Sequence, residues 1–393
     1  MNKNILHPEV QSYINDNLKV NIEQFIFKGS PFKDVSVQEL ANQVIAKQKS
    51  EKKLPTWFQT KNIYYPPKLS IEQTSSEITA EYKSKLVIGG SIIDITGGFG
   101  VDCYAFSKRF KKVVHCEINE ELSEIVSYNY EQLEVSNIRT VATDGLEYLK
   151  NTSEKFDCIY IDPSRRNDTK GKVFLLSDCL PNVPENLDFL FEMSDTILVK
   201  NSPILDISST INELKFVKEI HVVAVNNEVK ELLFLLKKEH KGLIEIKTLN
   251  ILKNKNQHFD FKLGNDFKFE YSMPLKYLYE PNSAILKSGG FNQIASQQKV
   301  NKLHQHSHLY TSEKLVKDFP GRIFEINNVF TYNKKKIKKE ITETKANITT
   351  RNFPKTVAQI RKETKLKDGG NSYLFFTTNI NNELIVIDCT KTD

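Results

Sequence analysis

Three acidic residues that follow short apolar runs carry the clearest chemistry in this sequence. Asp94 ends the run SIID, Glu117 ends the run KVVHCE, and Asp144 follows the run IRTVAT. From Ser91 onward such runs alternate with helix-like segments, which predicts a doubly wound parallel sheet. Since the carboxyl ends of parallel strands meet along one edge of the sheet, we expect the three carboxylates to line one ligand crevice.

The glycine spacing after Asp94 indicates which ligand this crevice holds. The segment reads DITGGFG, with glycine at positions 97, 98 and 100. It does not fit the GxGxxG loop of dinucleotide enzymes, whose third glycine would fall at Cys103. It fits instead the D-x-x-x-G-x-G spacing of S-adenosylmethionine (SAM) binders, because SAM has a methionine ammonium to neutralise and no pyrophosphate to cradle.

Each acid has an expected role toward SAM. Asp94 would partner the ammonium or its bound water, Glu117 would accept hydrogen bonds from the ribose hydroxyls, and Asp144 from the adenine amino group. The alternative is that each acid caps the helix that follows it, which suits Asp144 better than Glu117, since Asn119 is the better cap there. The predicted cofactor site comprises Asp94, Thr96, Gly97, Gly98, Gly100, Glu117, Ile118, Asp144, Gly145 and Asp162.

A fourth apolar run, FDCIYID, ends in Asp162, Pro163, Ser164 and Arg165, which we predict to be the catalytic residues. In methyltransferases that act on exocyclic amines, an acid or Asn followed by Pro at this position accepts hydrogen bonds from the target NH2. The sulfonium of SAM already activates the methyl group, so the remaining demand is mostly orientation. Arg165 and Arg166 would add contacts to phosphate or base. The alternative is a structural loop in which Asp162 caps a turn and one arginine forms a salt bridge.

Length and composition predict a cytoplasmic protein of several domains. The chain has 393 residues, and its first residues, MNKNILHPEVQ, lack the features of a signal peptide. No stretch approaches the roughly 20 apolar residues of a membrane span. The five cysteines are isolated, which favours buried thiols in a reducing compartment, and we predict no metal site.

Three local segments outside the crevice also have readable patterns. Residues 1–70 look mainly helical, and the helix after them has possible caps at positions 74–76. Residues 222–237, VVAVNNEVKELLFLLK, read either as a strand running into a helix or as two strands joined at Asn226-Asn227, and we favour the hairpin. Residues 297–306, QQKVNKLHQH, read as a polar helix.

Positive charge is concentrated near the end of the chain. Residues 331–367 contain twelve Lys or Arg against three Glu, an excess larger than the net charge of +6 for the whole chain. Such a stretch suits phosphate contacts that do not read sequence, with a solvated loop as the alternative. The residues we predict to bind RNA are Lys334, Lys335, Lys336, Lys338, Lys339, Arg351, Arg361 and Lys362. We expect no readout of DNA sequence.

Several segments together resemble a known family. The strings TSSEITAEYKS, DITGGFGVD, IDPSRR, LVKNSPILDI and VNNEVKELL are similar to those of class I SAM-dependent methyltransferases of Bacteroidetes-type bacteria that carry a C-terminal THUMP-like domain. The resemblance covers most of the chain. It implies an α/β fold with a Rossmann-like seven-stranded core, an N-terminal helical region, and small α+β domains of ferredoxin-like and THUMP-like type. The implied boundaries are 1–70 for the helical region, 71–250 for the core, 251–319 for the ferredoxin-like domain and 320–393 for the THUMP-like domain.

Two positions depart from the family pattern. Thr96 stands where the D-x-G-x-G-x-G pattern has its first glycine, and Ser164 stands where an aromatic residue usually follows the acceptor Asp-Pro. The second departure removes the ring that would stack on a base, a role that the guanidinium plane of Arg165 could take instead.

The sequence therefore predicts a methyltransferase that modifies an exocyclic amine of guanine or adenine in tRNA or rRNA. Two alternatives stay open, a methyltransferase acting on a small molecule or a protein, and a non-catalytic protein that binds SAM and RNA. Cytosine C5 methylation is discounted, because no Pro-Cys pair occurs at the fourth strand end and Cys158 lies within the strand.

Overall fold

The computed structural model describes residues 1–165, 175–265 and 267–392, without the side chains of Arg165, Lys334 and Lys338. Arg166 lies outside the described residues. The chain divides into two compact units, the first made of Met1–Lys218 and Phe234–Lys241, the second of Glu219–Leu233 and Gly242–Asp393. Within the described ranges, no helix is both long enough and apolar enough to cross a membrane.

The first unit begins with the helical region that the sequence predicts. A 3-10 turn at Lys3–Leu6 precedes α1 (Pro8–Asp16), α2 (Ile22–Phe27), α3 (Val37–Lys53), α4 (Pro55–Gln59), α5 (Lys68–Gln73) and α6 (Glu77–Ser84). Ser36 and Glu39 form a capping box at the start of α3. Among the three candidate caps before α6, Ser76 is the one that is used, accepting from the backbone N–H of Thr79.

Strands and helices then alternate as predicted. The elements are β1 (Ser91–Asp94), α7 (Val101–Ser107), β2 (Lys112–Glu117), α8 (Glu120–Gln132), β3 (Ile138–Ala142), α9 (Gly145–Lys150), β4 (Cys158–Ile161), β5 (Ser164–Arg165), a 3-10 turn (Leu176–Asp178), β6 (Cys179–Leu180), α10 (Val183–Met193), β7 (Thr196–Asn201), α11 (Ile207–Glu213), β8 (Val217–Val225) and β9 (Glu228–Lys237).

The sheet of the first unit places the predicted strand ends side by side. Its strands lie in the order β3-β2-β1-β4-β7, followed by the Phe234–Lys237 end of β9. β1 pairs in parallel with β2 and β4, so Ile93 lies between Val114 and Ile159 in a fully buried row. Apolar strand residues of this kind are expected where helices cover both faces of a parallel sheet.

The second unit contains the predicted hairpin. β8 and β9 are joined at Asn226 and Asn227, which have φ of 51° and 63°. Two successive left-handed residues suit a type I′ turn, and Asn adopts that conformation readily. This result confirms the hairpin. Beyond β8 lie β10 (Glu245–Ile251) and β11 (Gln257–Lys262).

The rest of the second unit is a seven-stranded sheet with short helices. Its elements are β12 (Tyr277–Pro281), α12 (Ser283–Ser288), α13 (Phe291–Gln298), β13 (Asn301–Lys302), β14 (Tyr310–Ser312), β15 (Gly321–Thr331), α14 (Lys334–Glu340), β16 (Asn347–Arg351), α15 (Val357–Thr364), β17 (Ser372–Thr378) and β18 (Leu384–Lys391). The strand order is β13-β14-β12-β15-β18-β17-β16. The fold class expected from the sequence is confirmed.

The polar helix expected over residues 297–306 is wrong. α13 ends at Gln298, and Lys299 takes a left-handed conformation with φ of 52°. The chain then turns into β13, where Lys302 pairs with Tyr310 of β14. Val300 and Leu303 are buried, so they hold this segment against the sheet rather than in a solvated helix.

Candidate active site

Asp94 lies at the end of β1 and is 2% exposed. Its Oδ1 accepts hydrogen bonds from the backbone N–H of Thr96 at 2.9 Å and from the Thr96 hydroxyl at 3.0 Å. Burial raises the pKa of Asp94 to about 7, and the nearby charges of Asp102 and Asp162 act in the same direction against the Thr96 hydrogen bonds. A carboxylic acid with such a pKa would ionise readily on contact with a cationic ligand group.

The three glycines after Asp94 serve different purposes. A Cβ on Gly97 would lie 2.5 Å from Nε2 of His115, and a Cβ on Gly100 would lie 2.1 Å from the Tyr130 hydroxyl. Gly98 has φ of 58°, and nothing lies closer than 3.8 Å to the position of its Cβ. Gly97 and Gly100 are therefore required for packing, whereas Gly98 borders open space where a ligand could approach the backbone.

Glu117 joins the end of β2 to the glycine loop. Its Oε2 accepts from the backbone N–H of Gly98 at 2.8 Å, and its Oε1 accepts from that of Asn119 at 2.8 Å. Asn119 caps α8, as the sequence suggested. Beside Glu117, the apolar side chain of Ile118 is 73% exposed, which suits contact with one face of a flat ligand.

Asp144 caps α9, the role considered as the alternative to cofactor binding. Its Oδ1 accepts from the backbone N–H groups of Leu146 at 2.8 Å and Glu147 at 3.1 Å. Gly145 packs closely on the residue after β1, because a Cβ there would lie 2.3 Å from the Ile95 carbonyl oxygen. Both hydrogen bonds of this cap use Oδ1 of an exposed side chain, so the cap does not prevent contact between Asp144 and a ligand.

Asp162 follows β4 and contacts residues of two neighbouring strand ends. Its backbone N–H donates to the Thr96 hydroxyl oxygen at 2.7 Å, and its Oδ2 accepts from the ammonium of Lys200 at the end of β7. Ser164 is exposed and pairs with Leu180 in the β5-β6 ribbon. Sequence reasoning missed Lys200. Its only indication in the sequence is its position at the end of an apolar run, in the segment LVKN.

A buried polar cluster lies beneath the glycine loop and was also missed. Asp102 of α7 accepts hydrogen bonds from the hydroxyls of Ser75 and Tyr160, both at 2.8 Å, and lies 3.1 Å from the Lys83 ammonium. Burial would raise the pKa of Asp102, yet Lys83 and then Lys200 hold that pKa below its ordinary value. The cluster ties α6 and α7 to β4 behind the strand ends.

The basic residues of the second unit fall into two groups. Lys335, Lys336 and Lys339 are exposed on α14, which is anchored by Ile337 at 5% exposure, and Lys362 is exposed on α15. The Lys336 ammonium donates a local hydrogen bond to the Thr331 hydroxyl at 2.9 Å.

The two predicted arginines have intramolecular partners instead. Arg351 donates to the buried carboxylate of Glu280 at 2.9 Å, and Arg322 holds the other oxygen of the same carboxylate. Arg361 pairs with Asp368 and also donates to two backbone carbonyls. Much of their charge is thus balanced within the unit.

The cysteines are buried, as predicted. In the three described ranges, no group of His, Cys, Asp and Glu is arranged to hold a metal ion.

Comparisons with known proteins agree with this architecture. A family profile described as conserved hypothetical protein 95 matches residues 43–178, a ferredoxin-like domain profile matches residues 277–320, and a THUMP domain-like profile matches residues 321–391. A solved structure from Porphyromonas gingivalis W83, assigned as a methyltransferase, superimposes with a TM-score of 0.88 at 29% identity. The match covers 100% of this chain and 99% of that one.

Two curated relatives match shorter segments. Ribosomal RNA small subunit methyltransferase J of Francisella tularensis subsp. novicida is 26% identical over 206 residues, which are 49% of this chain and 67% of that protein. An uncharacterized RNA methyltransferase of Mycoplasma mobile is 28% identical over 76 residues, 19% of this chain and 21% of that protein. The chain thus has the domain composition of a methyltransferase with a ferredoxin-like and a C-terminal THUMP-like domain, and it is similar over its full length to the Porphyromonas gingivalis structure.

Proposed function

We propose that this protein transfers a methyl group from SAM to an exocyclic amine of guanine or adenine in tRNA or rRNA. The observation that carries the proposal is the contact of Thr96 with both Asp94 and Asp162, which brings the predicted cofactor acid and the acceptor motif within one side chain of each other. We also place this activity in the cytoplasm, where buried free cysteines stay reduced.

The residues around the glycine loop fit SAM. Gly98 borders open space, and the buried Asp94 gains a favourable partner when an ammonium approaches it. Glu117 retains lone pairs for ribose hydroxyls, Ile118 offers an apolar surface for adenine, and Asp144 lies at the neighbouring strand end. Bound SAM would supply a methyl group on a sulfonium, activated for transfer.

Asp162 and Pro163 would orient the acceptor. The Asp162 carboxylate and a neighbouring backbone carbonyl can accept both N–H groups of an amino substituent, which helps restore the lone pair that ring conjugation withdraws. The amino nitrogen would then form the new N–C bond as the S–CH3 bond of SAM breaks, with S-adenosylhomocysteine as the leaving group, and would give up one proton to water. The role of these residues is positioning at a defined strand end, which accounts for much of the rate in such transfers.

An RNA substrate is supported by the domain pattern and by charge. The curated relatives are named as RNA methyltransferases, and residues 321–391 match a THUMP domain-like profile. The exposed lysines of α14 and α15 lie in that segment, where phosphate contacts would bind RNA without reading its sequence.

Transfer of isotope-labelled methyl from SAM to total bacterial RNA tests the proposal. The full-length protein should label RNA, and Asp162→Ala should lose labelling while it still binds SAM. Labelling of a protein or small-molecule fraction in place of RNA would support the second sequence interpretation. SAM binding without any transfer would support the non-catalytic one.

A further inference from the structure

Lys200 occupies the strand end next to Asp162. β7 runs parallel to β4 with Ile161 opposite Val199, so Asp162 and Lys200 follow at neighbouring strand ends. The Lys200 ammonium donates to Oδ2 of Asp162. The Lys200 side chain is 12% exposed and that of Asp162 is 34% exposed, so the carboxylate is the more accessible member of the pair.

The ion pair between Lys200 and Asp162 is not explained by stability of the fold alone. Removing two charges from water costs desolvation that a partly buried ion pair recovers only in part. The other acids of the cluster have their own contacts, Asp94 with Thr96, and Asp102 with Lys83 and Tyr160. The Lys200 ammonium contacts the acceptor motif directly.

We propose that Lys200 selects which edge of the acceptor base is bound by placing a hydrogen-bond donor beside the acceptor oxygen of Asp162, an inference that rests on the proposed RNA methylation. With Oδ2 bound to the ammonium, Oδ1 is left for the target amino group. The ring atom next to that amino group then faces Lys200. A ring nitrogen with a lone pair can accept from the ammonium, whereas a ring N–H is repelled by it.

This arrangement separates the base edges into two classes. In the first class, the amino group can donate to Asp162 while a neighbouring ring nitrogen accepts from Lys200. This class contains the amino group of adenine beside ring N1, that of cytosine beside ring N3, and that of guanine beside ring N3. The Watson–Crick edge of guanine forms the second class, because its amino group lies beside a ring N–H that cannot accept from Lys200. An unpaired carboxylate would bind that two-donor edge through parallel hydrogen bonds, so Lys200 reverses the preference that Asp162 would have alone.

Lys200→Met is the test variant, and Lys200→Arg is its matched control, because guanidinium keeps the charge and the donors. The full-length proteins are incubated with SAM and with RNA from a strain that lacks the gene. The methylated nucleoside is identified by mass spectrometry, and kcat and KM are measured for RNA and for SAM. Calorimetry of SAM binding reports separately whether each variant retains a folded cofactor site.

The wild type should form N6-methyladenosine or N2-methylguanosine. Lys200→Met should lose about 50-fold in kcat while the affinity for SAM changes about twofold or less, and Lys200→Arg should recover most of the loss. A product methylated on guanine ring N1, on carbon or on ribose would overturn the inference together with the choice of an exocyclic amine in the proposed function, while RNA methylation itself would stand. A Lys200→Met variant with wild-type turnover would overturn the inference alone. A wild type that puts no methyl into RNA would overturn the proposed function, and this inference with it.

Discussion

The hydroxyl oxygen of Thr96 accepts a hydrogen bond from the backbone N–H of Asp162 at 2.7 Å. The same hydroxyl donates to Oδ1 of Asp94 at 3.0 Å. One side chain thus connects the strand end of β1 with that of β4. A glycine, which the common methyltransferase loop has at this position, would make neither contact. The departure from the family pattern at Thr96 therefore has a structural role.

Thr96→Val should weaken the connection without changing the volume of the side chain. The variant leaves the Asp162 N–H without its acceptor, which costs about 1–3 kcal/mol for a buried donor. We expect kcat to fall by about tenfold, since the acceptor motif is no longer fixed. Steady-state kinetics measures the effect, and Thr96→Ser, which keeps the hydroxyl, is the control. Equal activity of the Val variant and the wild type would contradict the role of Thr96.

Relative to the wild type, Asp94→Asn should become more stable toward unfolding as pH rises. The pKa of Asp94 is about 7 in the fold against a model value of 3.8, so its contribution to stability is full below 3.8 and is lost as pH rises through 7. Between about pH 5 and about pH 8 the wild type should lose about 3 kcal/mol that the variant does not lose. Urea unfolding of both proteins at each pH measures the difference.

The comparison with wild type is needed because His115 acts in the opposite direction. Burial lowers the pKa of His115 to about 4 from 6.5, so its contribution is present above 6.5 and is lost as pH falls through 4. This effect is common to the wild type and to Asp94→Asn and cancels between them. A stability difference that stays constant with pH would show that Asp94 does not titrate as described.

Alanine at Gly98 and at Gly100 should have different consequences. At Gly100, with φ of 77°, the new Cβ would lie 2.1 Å from the Tyr130 hydroxyl, so we expect a loss of stability of about 2–4 kcal/mol from strain and overpacking. At Gly98 the left-handed backbone costs only about 1 kcal/mol, but the methyl group enters the space assigned to SAM. Thermal unfolding and SAM calorimetry should therefore give a less stable Gly100→Ala and a stable Gly98→Ala with weak SAM binding. Unchanged SAM affinity in Gly98→Ala would place the ligand elsewhere.

Replacing Lys335, Lys336 and Lys339 together by Glu should weaken RNA binding. Each phosphate contact that is lost should reduce the slope of log affinity against log salt concentration by about 0.7–0.9. Filter binding at several salt concentrations measures the slope, and SAM affinity should stay the same. The control replaces three exposed lysines of the N-terminal helical region, Lys19, Lys52 and Lys61. Equal slopes for the two triple variants would argue against an RNA contact at α14.

The strand ends were predictable from sequence because local patterns define them. Apolar runs that alternate with helices identify the carboxyl ends at Asp94, Glu117 and Asp162, and Asn226-Asn227 identifies the hairpin. The order of parallel strands then brings these ends together by a general rule of α/β sheets. The two C-terminal domains came from resemblance to a family and not from periodicity.

The partners of charged side chains were not predictable, because they depend on which elements become neighbours. Lys200 meets Asp162 only because β7 lies beside β4, although the two strands are more than thirty residues apart in sequence. A run of basic residues likewise contains no information that Arg351 is bound to the distant Glu280. Charge counted along the chain therefore overstates the charge that is available to RNA.

The central claim is that this protein methylates RNA from SAM, and nucleoside mass spectrometry of cellular RNA tests it most directly. RNA would be compared between a strain that lacks the gene, the same strain carrying the wild-type gene, and one carrying Asp162→Ala. We predict that one base-methylated nucleoside of tRNA or rRNA disappears on deletion, returns with the wild type and does not return with the variant. Identical methylated nucleosides in all three strains would contradict the claim.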